Sequence, residues 1–176
     1  MAGTTILGQD LMVFVDVSTT DTPNYKSIAY ATNHTLEVSM EQIDSTTKDN
    51  AGGYWSSSEP GMMSWSMSTE NLMNAEGKNG EDFNGLFDIM LKRKTVKVVF
   101  ALQNNTLDYD KKAEEGFQVD ENGWKPNPKN YYVGEAYITS LNVTATNQEK
   151  ASYTATFTGA GSLKKQGNGI STQPKN

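Results

Sequence analysis

No cysteine occurs among the 176 residues of this chain. Disulfide crosslinks, thiolate catalysis and cysteine-based metal centres are therefore excluded. Histidine occurs once, as His34. Any Ser-His-Asp arrangement would have to use it, and one histidine without thiolates is a poor basis for a zinc site. His34 stands between Asn33 and Thr35 at the start of an alternating run, where a hydrogen bond to a neighbouring turn is its ordinary role. Long apolar runs are also missing. The longest, residues 11–15 and 96–102, fall far short of the roughly 20 apolar residues that cross a bilayer as a helix. No basic stretch precedes the apolar residues of the first ten positions, so no secretory signal is expected. Positive charge is scarce: the formal net charge is -6. The densest basic group is Lys92, Arg93, Lys94 and Lys97. It reads as a helix end, where cations suit the macrodipole, rather than as a grip on phosphates.

What is present is mostly strand. With 36% hydrophobic residues and a mean hydropathy of -0.61, the chain reads as soluble and long enough for a single core. Residues 11–17 are β-branched and aromatic, and residues 27–32 follow as a second strand. Leu36, Val38 and Met40 then alternate with Glu37, Ser39 and Glu41, and Met63, Trp65 and Met67 with Ser64, Ser66 and Ser68. A period of two predicts sheets with one apolar and one wet face. Residues 95–102, 131–146 and 152–159 repeat the theme, the last two joined by a short polar connection suited to a hairpin. One segment differs. Phe83, Leu86, Phe87, Met90 and Leu91 recur with helical spacing, which predicts an amphipathic helix over residues 81–94 with acidic Glu81 and Asp82 at its start. Three stretches show no regular pattern: residues 44–61, 103–130 and 159–176.

No catalytic constellation emerges. Glu37 and Glu41 share a strand face, Asp44, Asp49 and Glu59 could gather around calcium, and Asp108, Asp110, Asp120 and Glu121 form another acidic region. None has the fixed spacing of a calcium loop, and solvated surface is the plain reading of each. Asn33, Asn104 and Asn142 each open an Asn-X-Thr triplet, which a Thr- and Asn-rich chain produces by chance. Gly159-Ala-Gly161 follows a strand but opens no helix, so it makes no phosphate cradle.

Several motifs in order resemble the major tail proteins of long-tailed phages. The stretch 8–15, Gly-Gln-Asp-Leu-Met-Val-Phe-Val, looks like their opening. The run 29–49 is the most specific part, a strand entering an Asp-x-x-x-Lys-Asp loop. Gly52-Gly-Tyr-Trp55 follows, then a strand with Trp65 that closes on Glu70-Asn-Leu72, the helix, and the strands ending near Leu141 and Gly159. The resemblance covers residues 8–161. Its weakest part is 103–130, which is longer than the simplest members of the family need.

The resemblance implies a mainly β fold, an antiparallel β-sandwich or small barrel with one flanking α-helix and long loops. It implies an N-terminal arm over residues 1–10, a tube domain over 11–160 and a flexible tail over 161–176. Subunits of the family form hexameric rings that stack into a hollow conduit for DNA. The expected partners are then further copies of this chain, together with tape-measure, tail-terminator and baseplate proteins. DNA is only transient cargo, and neither a membrane, a cofactor nor an enzymatic activity is expected. The expected place is the virion tail, after synthesis in the host bacterial cytoplasm.

For such a subunit, Asp44, Thr47, Lys48, Asp49, Tyr54 and Trp55 are the candidate contacts between subunits or stacked rings, since large aromatics often dominate interfaces. Glu37, Ser39, Glu41, Ser64, Ser66, Ser68 and Glu70 are the candidate lumen face, where hydroxyls and carboxylates would let phosphates pass. Two other readings fit the residues. One is a monomeric binding module using Tyr54, Trp55 or Trp124 on a carbohydrate; the other is an enzyme built on a carboxylate pair.

Overall fold

The structure, a computed structural model, describes residues 6–47, 55–74, 80–103 and 124–170. A short 3-10 turn at Gly8–Asp10 leads into β1 (Leu11–Asp16) and β2 (Tyr25–Ser27). The long strands β3 (Ala31–Asp44) and β4 (Ser58–Leu72) come next, followed by α1 (Phe83–Leu91) and β5 (Val96–Gln103). The chain closes with β6 (Pro126–Thr144), β7 (Ser152–Gly159) and β8 (Lys164–Gln166). All strand pairs are antiparallel, in the order β2-β1-β5-β6-β7-β4-β3, with β8 added to β6. This is the mainly β, one-helix architecture expected from the alternating runs.

The continuous sheet folds over on itself. Val13 and Val15 of β1 and Val98 and Phe100 of β5 share one core with Met67 of β4, Phe157 of β7 and Leu86 of α1. A second, smaller cluster of Phe14, Val99 and Ala101 lies on the other side of β1 and β5 beneath Tyr25, Trp124 and Tyr131. Both faces of β5 are therefore covered, which explains a strand that is apolar almost throughout. β6 serves both halves. Its first part pairs with β5 and its second with β7.

His34 joins the two margins of the folded sheet. Along the outer edge of β1, pairing with β2 begins only at Phe14. The Val13 N–H just before it donates to His34 Nδ1 on β3 at 3.3 Å. The imidazole accepts, so it is neutral, and burial pushes its pKa down to about 4. The expected hydrogen bond to a neighbouring turn is instead one to a distant strand, so His34 ties β1 to β3.

The helix is shorter than the periodicity suggests, because Asp82 caps it. The Asp82 carboxylate accepts from Gly85 N–H at 2.9 Å and satisfies one of the donors left open at a helix start. Asp82→Ala should lower stability by about 1 kcal/mol in denaturant unfolding, because that donor then loses its partner. At the other end Arg93 takes a left-handed φ of 51°, so Lys92 to Lys94 lie beyond the last turn.

Four segments differ from the sequence reading. Residues 27–32 do not form one strand: the chain turns at Tyr30, where φ is 54°, and β3 begins only at Ala31. Residues 58–61, within the irregular stretch expected at 44–61, start β4. Pro126 opens β6 by pairing with Gln103, and residues 127–130 bulge before the pairing with β5 resumes at Tyr131. Residues 164–166 form β8 against Tyr131 to Val133, anchored by Leu163 and Ile170, which pack on the core. In the last three, tertiary pairing overrides a Gly-, Pro- and Lys-rich composition of weak strand propensity.

Candidate assembly surfaces

The expected lumen residues lie together on one face. In the β3–β4 ladder Glu37 stands opposite Ser66, Thr35 opposite Ser68 and Ser39 opposite Ser64. The Ser39 and Ser64 hydroxyls meet at 2.8 Å. β7 continues the surface with Thr154, Thr156 and Thr158 beside Glu70, Ser68 and Ser66. β6 extends it further: Thr139, the extra residue of a bulge, brings its hydroxyl within 2.9 Å of that of Thr158. Glu41 faces a bulge in β4, where Gly61 and Met62 oppose it as a pair. None of the seven candidates is in the core: Ser66 and Ser68 are half-buried and the other five are exposed. The face is thus paved by hydroxyls and carboxylates, and the strand pairing brings no lysine or arginine onto it.

The loop candidates divide. Lys48, Asp49 and Tyr54 lie outside the described residues. Asp44 folds the loop entrance by accepting from Thr46 N–H at 2.8 Å, and hydrogen bonds from the Thr46 hydroxyl and backbone hold its carboxyl below the usual range. Opposite it, Ser45 and Ser57 are joined through backbone and hydroxyls. Thr47 is exposed, and Trp55 is 89% exposed, so that indole covers no part of its own domain's core. Trp124, a candidate sugar platform, instead lies half-buried over the second cluster, with its backbone N–H donating to Ser27 Oγ at 2.9 Å. It is occupied as a packing residue. Among the described residues no three His, Asp or Glu side chains converge as a metal site would need.

Sequence reasoning missed what becomes of the apolar face of β3 and β4. Alternation put Leu36, Val38 and Met40 with Met63, Trp65 and Met67 on one buried surface. The structure buries only its base, where Trp65 and Met67 join the core and Leu36 packs against it. β7 pairs with β4 only from Ser66 onward. Beyond that level the two strands continue alone, leaving Val38 50%, Met40 50% and Met63 71% exposed, with Met62 at 77%. Period alone cannot show this, because it reports which face a side chain takes and not whether anything stands over it.

A second apolar surface lies at the end of α1. Phe87, Met90, Leu91, Tyr137 and Ile138 line a groove of about 440 Å³ rimmed by Arg93 and Lys94. Phe87, Leu91 and Tyr137 remain 45%, 63% and 47% exposed. Of the apolar helical stripe only Leu86 is fully buried, while Phe83 and Met90 pack at the margin.

A folded-over antiparallel sheet, one capped helix and a projecting hairpin define a class: the tail tube fold. It is shared with a chain from the virion of a native gene transfer agent particle, at 18% identity and a TM-score of 0.62, over 92% of this chain and 99% of that one. A chain from the tail of an empty gene transfer agent particle, of C6 symmetry, matches over the same shares with a TM-score of 0.66 at 18% identity. The SPP1 tail tube matches at 14% identity and a TM-score of 0.62, over 95% of this chain and 81% of that one. By sequence, residues 5–84 match the family described as phage tail tube protein. The family match thus covers the first part of the chain, and the fold of the whole chain is that of the tail tube structures. No match is found among curated protein sequences.

Proposed function

We propose that this chain is a structural virion protein, the major tail tube subunit whose stacked hexameric rings make the DNA conduit of a phage tail. The observation that carries the reading is the four-stranded outer face of β3, β4, β7 and β6, which bears carboxylates and hydroxyls and no cation. A surface of that chemistry neutralises no phosphate and releases no counterions, so DNA slides past it without being held. The C6 symmetry of the gene transfer agent tail supports a ring of six. The free outer edge of β3 and the loop carrying Asp44, Thr47 and Trp55 are the parts that join rings, and Lys48, Asp49 and Tyr54 belong to that same loop. Strand edges are adhesive when left open, and a closed ring satisfies them. Other tail components, such as tape-measure, terminator and baseplate proteins, are the further partners of such a subunit.

Negative-stain electron microscopy of the concentrated protein should show rings or tubes with a central channel. Monomers alone, even after addition of a tail initiator complex, would count against the reading. The lumen assignment has its own test. Phage carrying Ser66→Lys and Glu37→Lys should build tails of normal length yet eject DNA slowly, with ejection recovering as salt is raised. Lysines repeated around every ring would hold phosphates in a salt-dependent way. Ejection at the normal rate at low salt would place these residues away from the channel.

A further inference from the structure

Among the described residues, two apolar surfaces stay exposed, and they differ in shape and in charge. One is a ridge, the Val38, Met40 and Met63 face of the β3–β4 hairpin. The other is a trough, the groove between α1 and β6. Neither hairpin strand carries a lysine or arginine, and the hairpin as a whole is acidic through Glu37, Glu41, Asp44 and Glu59, with Glu37 and Glu41 on the face opposite the ridge. The trough ends in consecutive Lys92, Arg93 and Lys94, and its rim is basic. The ridge does not fill its own trough, since both stay exposed in one chain. The hairpin has the reach to leave its subunit: the stretch 58–65 of β4 runs beyond the pairing with β7, about 25 Å at the usual rise per strand residue.

We propose that the apolar hairpin face of one copy docks in the groove beside α1 of a second copy, the net negative charge of the hairpin favouring the basic Arg93 and Lys94 end of the groove. The inference rests on the tube-subunit reading and names the surface that receives the hairpin. Ridge and trough are different patches, so the contact is heterologous and hands on from copy to copy, as a ring or stack requires and a two-fold dimer does not. Met40 and Leu91 are its apolar centre. Aliphatic side chains that lose water on both sides contribute most where the contact is driest, and the opposite net charges of hairpin and groove end speed the encounter.

The absence of cysteine gives a clean test. Met40→Cys and Leu91→Cys are made in separate chains, both at exposed positions where folding is undisturbed. Each is assembled alone and in a mixture, then treated with a short flexible bis-maleimide. The mixture should yield a cross-linked dimer that neither variant forms alone, and a chain with both substitutions should yield a ladder. Val38→Cys with Phe87→Cys serves as an independent pair. Leu91→Asp should also raise the concentration needed for assembly by about tenfold while leaving the circular dichroism unchanged. Rings or tubes that form without the mixed cross-link, or Met40→Cys joined to itself, would overturn the docking and leave the tube reading standing. Unsubstituted chains that do not assemble, together with no cross-link in the mixture of variants, would overturn both.

Discussion

Trp65→Ala should destabilise the subunit by about 3–5 kcal/mol, the range for deleting a buried aromatic. The indole is 6% exposed and lies in the main core. Its ring rests on the backbone of two strands at once: a Cβ at Gly134 or at Gly159 would sit 2.3 Å from ring atoms. Its Nε1–H donates to Gly161 O at 2.8 Å, which ties the turn after β7 to β4. Removing the ring therefore leaves a cavity, an unpaired carbonyl and a loosened hairpin base together. Urea unfolding followed by near-ultraviolet circular dichroism measures the loss. A double-mutant cycle sharpens it. Gly134→Ala should be strongly destabilising beside Trp65 and much less so beside alanine at 65, because the clash is with the ring. Equal penalties in both backgrounds would show that Gly134 is needed for another reason.

The second large effect is one of pH. Lowering the pH from 7 to 4 should remove about 3 kcal/mol of stability through His34 alone. In the folded chain burial pushes its pKa down to about 4, whereas the unfolded value is about 6.5. Above that unfolded value neither state holds the proton and the stabilisation is complete. Between about 6.5 and 4 the unfolded chain takes up a proton that the folded chain refuses, so stability falls with pH. Below about 4 both states are protonated and His34 adds no further loss. The proton also destroys the acceptor of the Val13 N–H, so the seam between β1 and β3 is where the fold should open first. His34→Asn keeps an acceptor but does not titrate. Its stability should change less across this window, and the difference between the two pH profiles isolates the histidine from the carboxylates. Parallel profiles would mean that some other group is responsible.

Much of this architecture was legible in the sequence where a residue's own neighbours determine its state. Leu36 to Glu41 alternate because one face is wet, and Phe83 to Leu91 are spaced for a helix that Asp82 can start. The seven polar candidates could be grouped because they share parity on adjacent strands. What escaped depends on partners far along the chain. Ser58-Glu-Pro-Gly61 has no strand-like composition and is a strand because β3 lies beside it. Residues 164–166 are a strand because β6 offers an edge there. Trp124 and Trp55 look alike in sequence, yet one is roofed over by its own domain and the other stands in solvent. The groove beside α1 was hidden for the same reason, since Tyr137 and Leu91 meet only in the folded chain.

The course of β6 has a mechanical consequence. Its 19 residues run through both halves of the sheet as one covalent strand. A pull that tries to part the halves is therefore borne by the backbone itself and, along its length, by many hydrogen bonds to β5 and β7 loaded in shear. The compliant point is the bulge at Thr139, where the ladder already bends. A subunit built this way flexes without parting, so in the proposed tube a curving tail would tilt one ring on the next, while each wall segment keeps its shape and the bore stays open.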